Sequence, residues 1–437
     1  MRLRRALHFR LRAGRVRLRA MDLFQITAIF LGVMALVGWI NVRTVGLPQS
    51  VAMLSAGIVA AGVLFAAQRM IGPFWGYDSV RAEIARLNFS EAVVSYMLAF
   101  LLFSSGMQID LGEFRRRRLA IWSLATLGVL ASTALVGFGV WAIAGIAGLN
   151  LPLAWALVFG ALISPTDPVA VMGLARSGVL SERLGAVLQG EALFNDGVGL
   201  VAFTAALAFA ASGVAPHPLH IAGAIVMEIG GGLALGLTGG WLVIMVIRTI
   251  DDYVVELTAS LALATGAYAL AQALHVSGPI AAAAAGLLIG SIGVQTGMTP
   301  ASRRYVEGFW HLADELLNGL LFLLTGLQIF VIPFDGSAVR IWIGSIVLVA
   351  LARLLVVIPW GAYFSLRHND RGASVILTMG GLRGGISLAM AFSLPPGGPH
   401  DLIVATTFAV VIFSVLVQGL GMGPVARYFA RGAVKMA

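Results

Sequence analysis

Long apolar runs separated by short polar segments recur along most of the chain. Most runs are close to the roughly 20 residues that an α-helix needs to cross a bilayer. Thirteen such segments can be distinguished, at residues 22–41, 47–68, 91–110, 119–147, 153–175, 184–211, 219–247, 254–274, 278–293, 310–334, 338–366, 372–394 and 401–430. The pattern predicts an all-α polytopic membrane protein with about 13 transmembrane helices. The stretch 69–90, with Arg81, Glu83 and Arg86, predicts a short amphipathic helix at the membrane surface.

Composition supports this fold class and excludes several kinds of function. Of the 437 residues, 59% are hydrophobic and only 11% are charged, whereas a soluble domain of this size needs more polar residues to cover its surface. The chain contains no cysteine, which excludes disulfides, thiolate metal sites and thiol nucleophiles. Its seven histidines form no HExxH pattern, and no GxSxG motif is present. We therefore expect a protein that is not an enzyme and that holds no cofactor.

The distribution of Lys and Arg between loops predicts the orientation. Loops after odd-numbered segments, together with the C-terminal region, hold most of the basic residues, namely Arg43, 115–118, Arg176, Arg183, Arg248, Arg303, Arg304, Arg367, Arg371, Arg427, Arg431 and Lys435. The other loops contain Arg69, Arg81 and Arg86, all in one loop. Since basic loops stay in the cytoplasm, we expect a cytoplasmic C-terminus and an outside N-terminus, in a bacterial inner membrane.

Residues 1–20 depart from this orientation, because they carry eight arginines and no acid on the side predicted to be outside. They can be an arm that binds anionic lipid, or a targeting peptide. The interpretation that we favour is that translation starts at Met21 and that the arm is not native, which leaves residues 21–437 as a single transmembrane domain. Without the arm the formal charge falls from +9 to +1, so the high isoelectric point does not indicate a nucleic acid partner.

Several charged residues lie deep inside apolar segments. A charge at the centre of a span costs about 2.5–3.5 kcal/mol on insertion scales, so each one calls for a function or a partner. The deep charges are Asp167, Glu191, Asp196, Glu228, Arg353 and Arg383. Glu256, Asp314 and Glu315 are nearer to the ends of their spans, where we expect contact with water.

The fifth segment contains "SPTDP", with Pro165 and Pro168 three residues apart. Each proline removes a backbone donor, so the helix should break around 164–167. Such irregular backbone is tolerated in a membrane only inside protein or beside a wet cavity. A simple proline kink is the alternative, but it does not call for Thr166 and Asp167 between the prolines. We favour an ion site.

The twelfth segment, "GASVILTMGGLRGGISLAMAF", has four glycines around Arg383 and predicts a second interrupted helix. The fifth and twelfth segments correspond if segments 1–6 and 8–13 form two inverted repeats. Paired interrupted helices at corresponding positions indicate the binding site of a transporter. We found no residue-level identity between the halves, so the predicted repeat rests on topology alone.

The stretch "GEALFNDGVGLV" (190–201) supplies the remaining polar groups. Asp196 is turned by about 100° from Asn195 around the helix. We expect its glycines, Gly190, Gly197 and Gly199, to let the broken fifth helix approach, so that Asp196 faces Asp167. Two carboxylates close together in a low dielectric cannot easily both stay ionised, so they must bind a proton or a cation. This is the chemistry of proton–cation exchange.

Glu191 needs a separate explanation, because a third unpaired carboxylate beside Asp167 and Asp196 would be too costly to bury. A buried arginine is its natural partner, and Arg353 is otherwise unexplained. Such a pair would neutralise both charges and hold helices together. Arg383 is the alternative partner.

Four motifs in order, "SPTDPVAV", "GEALFNDGVGLV", "FWHLADELLNGLLFLLTGLQI" and "GGLRGGISLAMAFSLP", carry a resemblance over nearly the whole chain from Met21 onward. The chain resembles the monovalent cation:proton antiporters of the NhaP and eukaryotic sodium/proton exchanger type. The resemblance implies a six-helix core domain with two crossed broken helices, a separate dimerisation domain, a homodimer, and elevator-like alternating access that serves pH homeostasis.

The resemblance also implies roles for single residues. Asp196 corresponds to the aspartate that binds the transported cation and the proton, and Asp167 and Thr166 to the contribution of the unwound helix. Asn195 corresponds to the amide before the key aspartate, and an Asn-Asp pair is associated with electroneutral exchange. Glu191 would pair with Arg353, and Arg383 would support the site.

Two departures from the family pattern bear on the choice of cation. Some relatives have a serine where this chain has Ala192, and others have an acid in the third segment, where this chain offers Ser104 and Ser105. The family favours Na⁺, with Li⁺ also accepted, and a K⁺/H⁺ antiporter of the same fold is the alternative. A cation channel would need a continuous pore and a selectivity ring, whereas paired broken helices favour an occluded site.

Overall fold

The structure is a computed structural model that describes residues 23–71, 81–82, 84, 88–168, 173, 179–214, 217–332, 338–370 and 372–434. The arginine-rich segment 1–20, the proposed start at Met21 and most of the predicted surface helix at 69–90 lie outside these residues. Within them the chain is almost entirely helical, and the pairing of extended backbone is limited to one isolated bridge. The predicted all-α class is confirmed.

Fourteen helices, numbered here in chain order, make up the described part of the fold. They are α1 Leu23–Val45, α2 Gln49–Ile71, α3 Phe89–Met107, α4 Leu111–Ile146, α5 Leu153–Ile163, α6 Glu182–Ser212, α7 Pro218–Ile247, α8 Tyr253–Ala273, α9 Gly278–Thr296, α10 Pro300–Phe330, α11 Val339–His368, α12 Ala373–Gly380, α13 Gly385–Phe392 and α14 His400–Val434.

Eleven helices in the described residues are long and apolar enough to cross a membrane. The predicted fifth and twelfth segments are not among them, because α5 stops at Ile163 and the twelfth segment divides into α12 and α13. The prediction of about 13 full spans therefore becomes eleven long helices and two places where the helix is interrupted.

Two helices begin well before the apolar run that predicted them. The helix α4 starts at Leu111, where the Asp110 side chain accepts a hydrogen bond from the Glu113 amide, so the arginines at 115–118 are helical. The helix α10 starts at Pro300, after the N-cap residue Thr299. Hydropathy misses both starts because the first turns of these helices are polar, whereas N-cap chemistry marks them.

The interruption after α5 follows from its prolines. Ser164 is the C-cap of α5, and the residues from Pro165 to Pro168 continue without helical hydrogen bonding because neither proline has an amide hydrogen. The interruption between α12 and α13 lies in the glycine-rich stretch, where Gly381 leaves the helical region and Gly384 is extended. Both breaks lie where the sequence predicted them.

The two interruptions meet in the fold. The Asp167 amide donates a hydrogen bond of 2.8 Å to the Leu382 carbonyl, and this pair forms the isolated antiparallel bridge. The long helix α6 packs against α5, and a Cβ atom at Gly199 would overlap the Pro165 ring. The other two glycines face elsewhere, Gly190 toward Ile121 of α4 and Gly197 toward Ile280 of α9. The expectation that all three admit the broken helix was therefore wrong for two of them.

We expect Gly199→Ala to lower stability, because the new methyl would overlap the rigid Pro165 ring and overpacking costs about 1–3 kcal/mol. Gly230→Ala is the matched control. That glycine lies inside α7 with nothing near its Cβ position, and Gly to Ala in a helix gains up to about 1 kcal/mol. Thermal unfolding of purified protein measures both. A Gly199→Ala variant as stable as Gly230→Ala would contradict this packing.

Candidate ion-binding site

The middle of α6 contributes three polar side chains. Glu191 and Asn195 lie one turn apart, 1% and 0% exposed, and Asp196 follows on a neighbouring face. The helix α6 holds these three side chains in the middle of a span. Polar groups at that depth are costly, so they need partners from other elements.

The break after α5 supplies a partner for Asn195. The Asn195 amide nitrogen donates a hydrogen bond of 2.7 Å to the Thr166 hydroxyl oxygen, and both residues are buried. The Asn195 side-chain oxygen is buried, and among the described residues it has no hydrogen-bond donor. A buried oxygen without a donor is costly, and a cation is one group that can satisfy it.

Asp167 and Asp196 meet at one small cavity, which we call the ion cavity. It has a volume of about 50 Å³ and is also lined by Thr166, Ser105 and Ser387. The two carboxylates interact electrostatically. The structure therefore brings together the two acids that the sequence predicted to face each other. Two such charges in a low dielectric favour the uptake of a proton or a cation.

Gly384 makes room for this arrangement. A Cβ atom there would overlap the carboxylate of Asp167, so the side chain of Asp167 occupies the space that any other residue would need. The sequence predicted Gly384 as part of the second interruption but did not predict its contact with Asp167, and Ser387 of α13 was not identified from the sequence. A serine in an apolar helix carries no signal until the facing element is known.

Arg383 satisfies the carbonyl groups that the first interruption leaves free. Its Nη1 atom donates to the carbonyl oxygen of Ser164 and, at 2.9 Å, to that of Pro165. Its own amide donates to the Ser414 hydroxyl at 2.8 Å. The positive charge therefore lies at the C-terminal end of α5, where the helix dipole is negative.

Glu191 and Arg353 form the buried ion pair that the sequence suggested. The contact is bidentate, with Nη1 donating to Oε1 and Nη2 donating to Oε2 at 2.8 Å. The same guanidinium donates to the Leu377 carbonyl from Nε at 3.3 Å and from Nη2 at 3.2 Å. The pair therefore joins α6, α11 and α12. Arg383, the alternative partner, is engaged at α5 instead.

The two serines considered for the third segment have different surroundings. Ser105 lines the ion cavity. Ser104 is fully buried and donates to the Trp310 carbonyl at 2.9 Å. Ala192 also lines the ion cavity, so its methyl group lies where a serine would add an oxygen.

A larger cavity, which we call the funnel, leads toward this site. It has a volume of about 740 Å³ and lies between the α3–α4 connection and the starts of α6 and α10. Four acids line it, namely Asp110, Glu113, Glu182 and Glu307. Gln189 lines both the funnel and the ion cavity. The funnel and the ion cavity are therefore neighbours that share one lining residue.

The sequence profile described as "Sodium/hydrogen exchanger, transmembrane" matches residues 31–428. The chain belongs to the sodium/hydrogen exchanger family. The Na⁺/H⁺ antiporter NhaP of Pseudomonas aeruginosa is 38% identical over 424 residues, which cover 94% of this chain and 98% of that protein. The Na⁺/H⁺ antiporter NhaH of Halobacillus aidingensis is 32% identical over 344 residues, 78% of this chain and 83% of its own length.

A solved structure supports the fold of this family member. The sodium proton antiporter MjNhaP1 from Methanocaldococcus jannaschii superposes with a TM-score of 0.69 at 18% identity, covering 94% of this chain and 100% of that one. The resemblance seen in the four motifs is confirmed. These relatives are transporters, which supports the prediction that the exchanger is not an enzyme.

Removing one partner of the buried Glu191–Arg353 pair should be strongly destabilising. Glu191→Ala or Arg353→Ala leaves an uncompensated buried charge, which typically costs about 3–5 kcal/mol. We expect each single variant to melt earlier, and the double variant to recover part of the loss. Thermal unfolding in detergent measures this double-mutant cycle. Strictly additive losses would mean that the pair carries no coupling energy.

Proposed function

We propose that this chain exchanges Na⁺ for H⁺ across the membrane by alternating access, with both ions competing for Asp196. The observation that carries the proposal is the pairing of Asp196 with Asp167 at one small cavity beside a broken helix. Family membership and the names of the relatives support cation/proton exchange.

The charged groups around the ion cavity support the binding of one proton or one cation at a time. Glu191 is neutralised by Arg353, and Asn195 is a neutral amide where a second acid would add a charge. Asp196 and Asp167 then share either a proton or a cation, since both cannot easily remain ionised without one. Exchange of one cation for one proton leaves the charge of the carrier unchanged. We therefore propose electroneutral exchange.

The oxygens available suit a small hard cation. Carboxylate, hydroxyl and carbonyl oxygens are the ligand types that such ions prefer. Asp196 and Asp167 supply the carboxylates, Thr166 the hydroxyl and Asn195 the side-chain carbonyl. The bound ion is the cargo of the transporter. We propose Na⁺ as the main cargo because the relatives are named Na⁺/H⁺ antiporters. Li⁺ and K⁺ are the alternative cations to be tested.

The arginine distribution supports a cytoplasmic funnel. Arg303 lines the funnel, and the arginines at 115–118 lie in the first turns of α4 beside it. Basic residues stay in the cytoplasm, so we propose an inward-open conformation, a cytoplasmic C-terminus and residence in a bacterial inner membrane.

We also propose that the exchanger forms a homodimer. The helices α1 and α7 expose most of their apolar side chains, and these faces can be covered by a second copy or by lipid. The family resemblance favours a dimer whose interface is separate from the helices of the ion site.

Asp196→Asn should abolish exchange in a folded protein, because the amide keeps the shape but cannot release a proton. Proteoliposomes with a pH-sensitive dye, challenged with Na⁺, Li⁺ or K⁺, measure the activity. Glu228→Gln is the matched control. Glu228 also lies deep in a span, on α7, but is absent from the lining of the ion cavity, so that variant should retain exchange. Sodium-driven proton movement by Asp196→Asn at the wild-type rate would refute the mechanism.

Competition at one site also fixes the direction of the pH effect. Raising the proton concentration should weaken the apparent cation affinity while leaving maximal cation binding nearly unchanged. In the acidic limit each pH unit should raise the apparent KM about tenfold. Rates of ²²Na⁺ exchange at graded pH test this. A fall in the maximal rate with an unchanged KM would argue against a shared site.

A further inference from the structure

Asp314 of α10 lies on the helix face that runs from the funnel to the ion cavity. His311, three residues before it, lines the funnel, and Asn318, four residues after it, lines the ion cavity. These spacings put all three side chains on one face of the helix. The sequence predicted contact with water at a span end, and the side chain is partly exposed.

The two hydrogen-bond partners of Asp314 line different cavities. Its Oδ1 atom accepts from the Asn318 amide nitrogen at 3.2 Å, and its Oδ2 atom accepts from the Gln108 amide nitrogen at 3.5 Å. Asn318 lines the ion cavity and Gln108 lines the funnel. Asp314 therefore joins a residue of the funnel to a residue of the ion cavity.

The charge of Asp314 is left largely uncompensated. Both partners are neutral amides, and among the described residues no arginine or lysine forms an ion pair with it. The titratable groups that interact with it are Glu315 and His311 on its own helix and Asp167 across the site. A carboxylate in a narrow passage with low-dielectric walls concentrates cations there.

We propose that Asp314 is a second cation-binding site, in the neck between the funnel and the ion cavity. It holds the transported cation before transfer to Asp196 and Asp167, and it therefore rests on the proposed exchange function. Its ligands are the two carboxylate oxygens, whose long hydrogen bonds leave acceptor capacity, together with water from the funnel.

The decisive test uses the variant Asp196→Asn, which is expected not to exchange ions, so that binding at Asp314 is measured apart from exchange at Asp196. Thermal unfolding of purified Asp196→Asn is followed in NaCl and in choline chloride of equal ionic strength. A neck site predicts a Na⁺-specific rise in Tm that persists in Asp196→Asn and disappears in Asp196→Asn/Asp314→Asn. Glu315 is the neighbouring acid, so Asp196→Asn/Glu315→Gln is the matched control and should keep the rise.

Two results would overturn the neck site. One is a Tm of Asp196→Asn that does not distinguish Na⁺ from choline. The other is a Na⁺ effect that survives Asp314→Asn. Neither result bears on whether Asp196 exchanges ions, because that is measured by the dye assay in liposomes.

A second measurement uses the otherwise unmodified chain, in case the double variants do not fold. Asp314→Asn should raise the apparent KM for Na⁺ about 3- to 10-fold at low ionic strength, with kcat changed less than about twofold. The effect should shrink when choline chloride is added, since salt screens the charge. Glu315→Gln should leave KM near the wild-type value. Equal shifts in both variants would mean general attraction by the funnel and would overturn a specific site.

Discussion

Two helices stop inside the apolar part of the protein, at Ile163 and at Gly380, and leave backbone carbonyls without helical donors. In hydrocarbon such groups cost several kcal/mol each unless another group satisfies them. Arg383 satisfies the carbonyls at the end of α5, and Arg353 satisfies the Leu377 carbonyl near the end of α12. A buried guanidinium therefore helps to stabilise each interruption.

The buried guanidinium group of Arg353 needs a negatively charged partner, and this requirement fixes the position of Glu191. Arg353 requires Glu191, and Glu191 is fixed on α6 one turn before Asn195. The ion pair therefore also sets the rotation of α6, and with it the direction in which Asp196 faces. The same ion pair therefore supports a broken helix and orients a wall of the ion cavity.

The sequence predicted those features that single residues determine. Prolines without an amide hydrogen predicted the break at 164–167, and the cost of a buried charge predicted the partner of Glu191. Features that depend on two elements at once could not be predicted. Gly197 could not be assigned to α9, nor Ser387 to the ion cavity, because hydropathy does not say which helices become neighbours. The hydrogen bonds of Asp314 to Gln108 and Asn318 could not be predicted for the same reason.

The bridge between Asp167 and Leu382 has a mechanical consequence. A main-chain hydrogen bond joins the two interruptions beside Asp167, a proposed ion ligand. Under the proposed alternating access, sliding of α5 past α12 would break this bond and separate the oxygens proposed to bind the ion. We therefore expect the two broken helices to move as one rigid unit. The sliding surface would then lie between this unit and the helices around it, and the affinity for the cargo would stay constant throughout the movement.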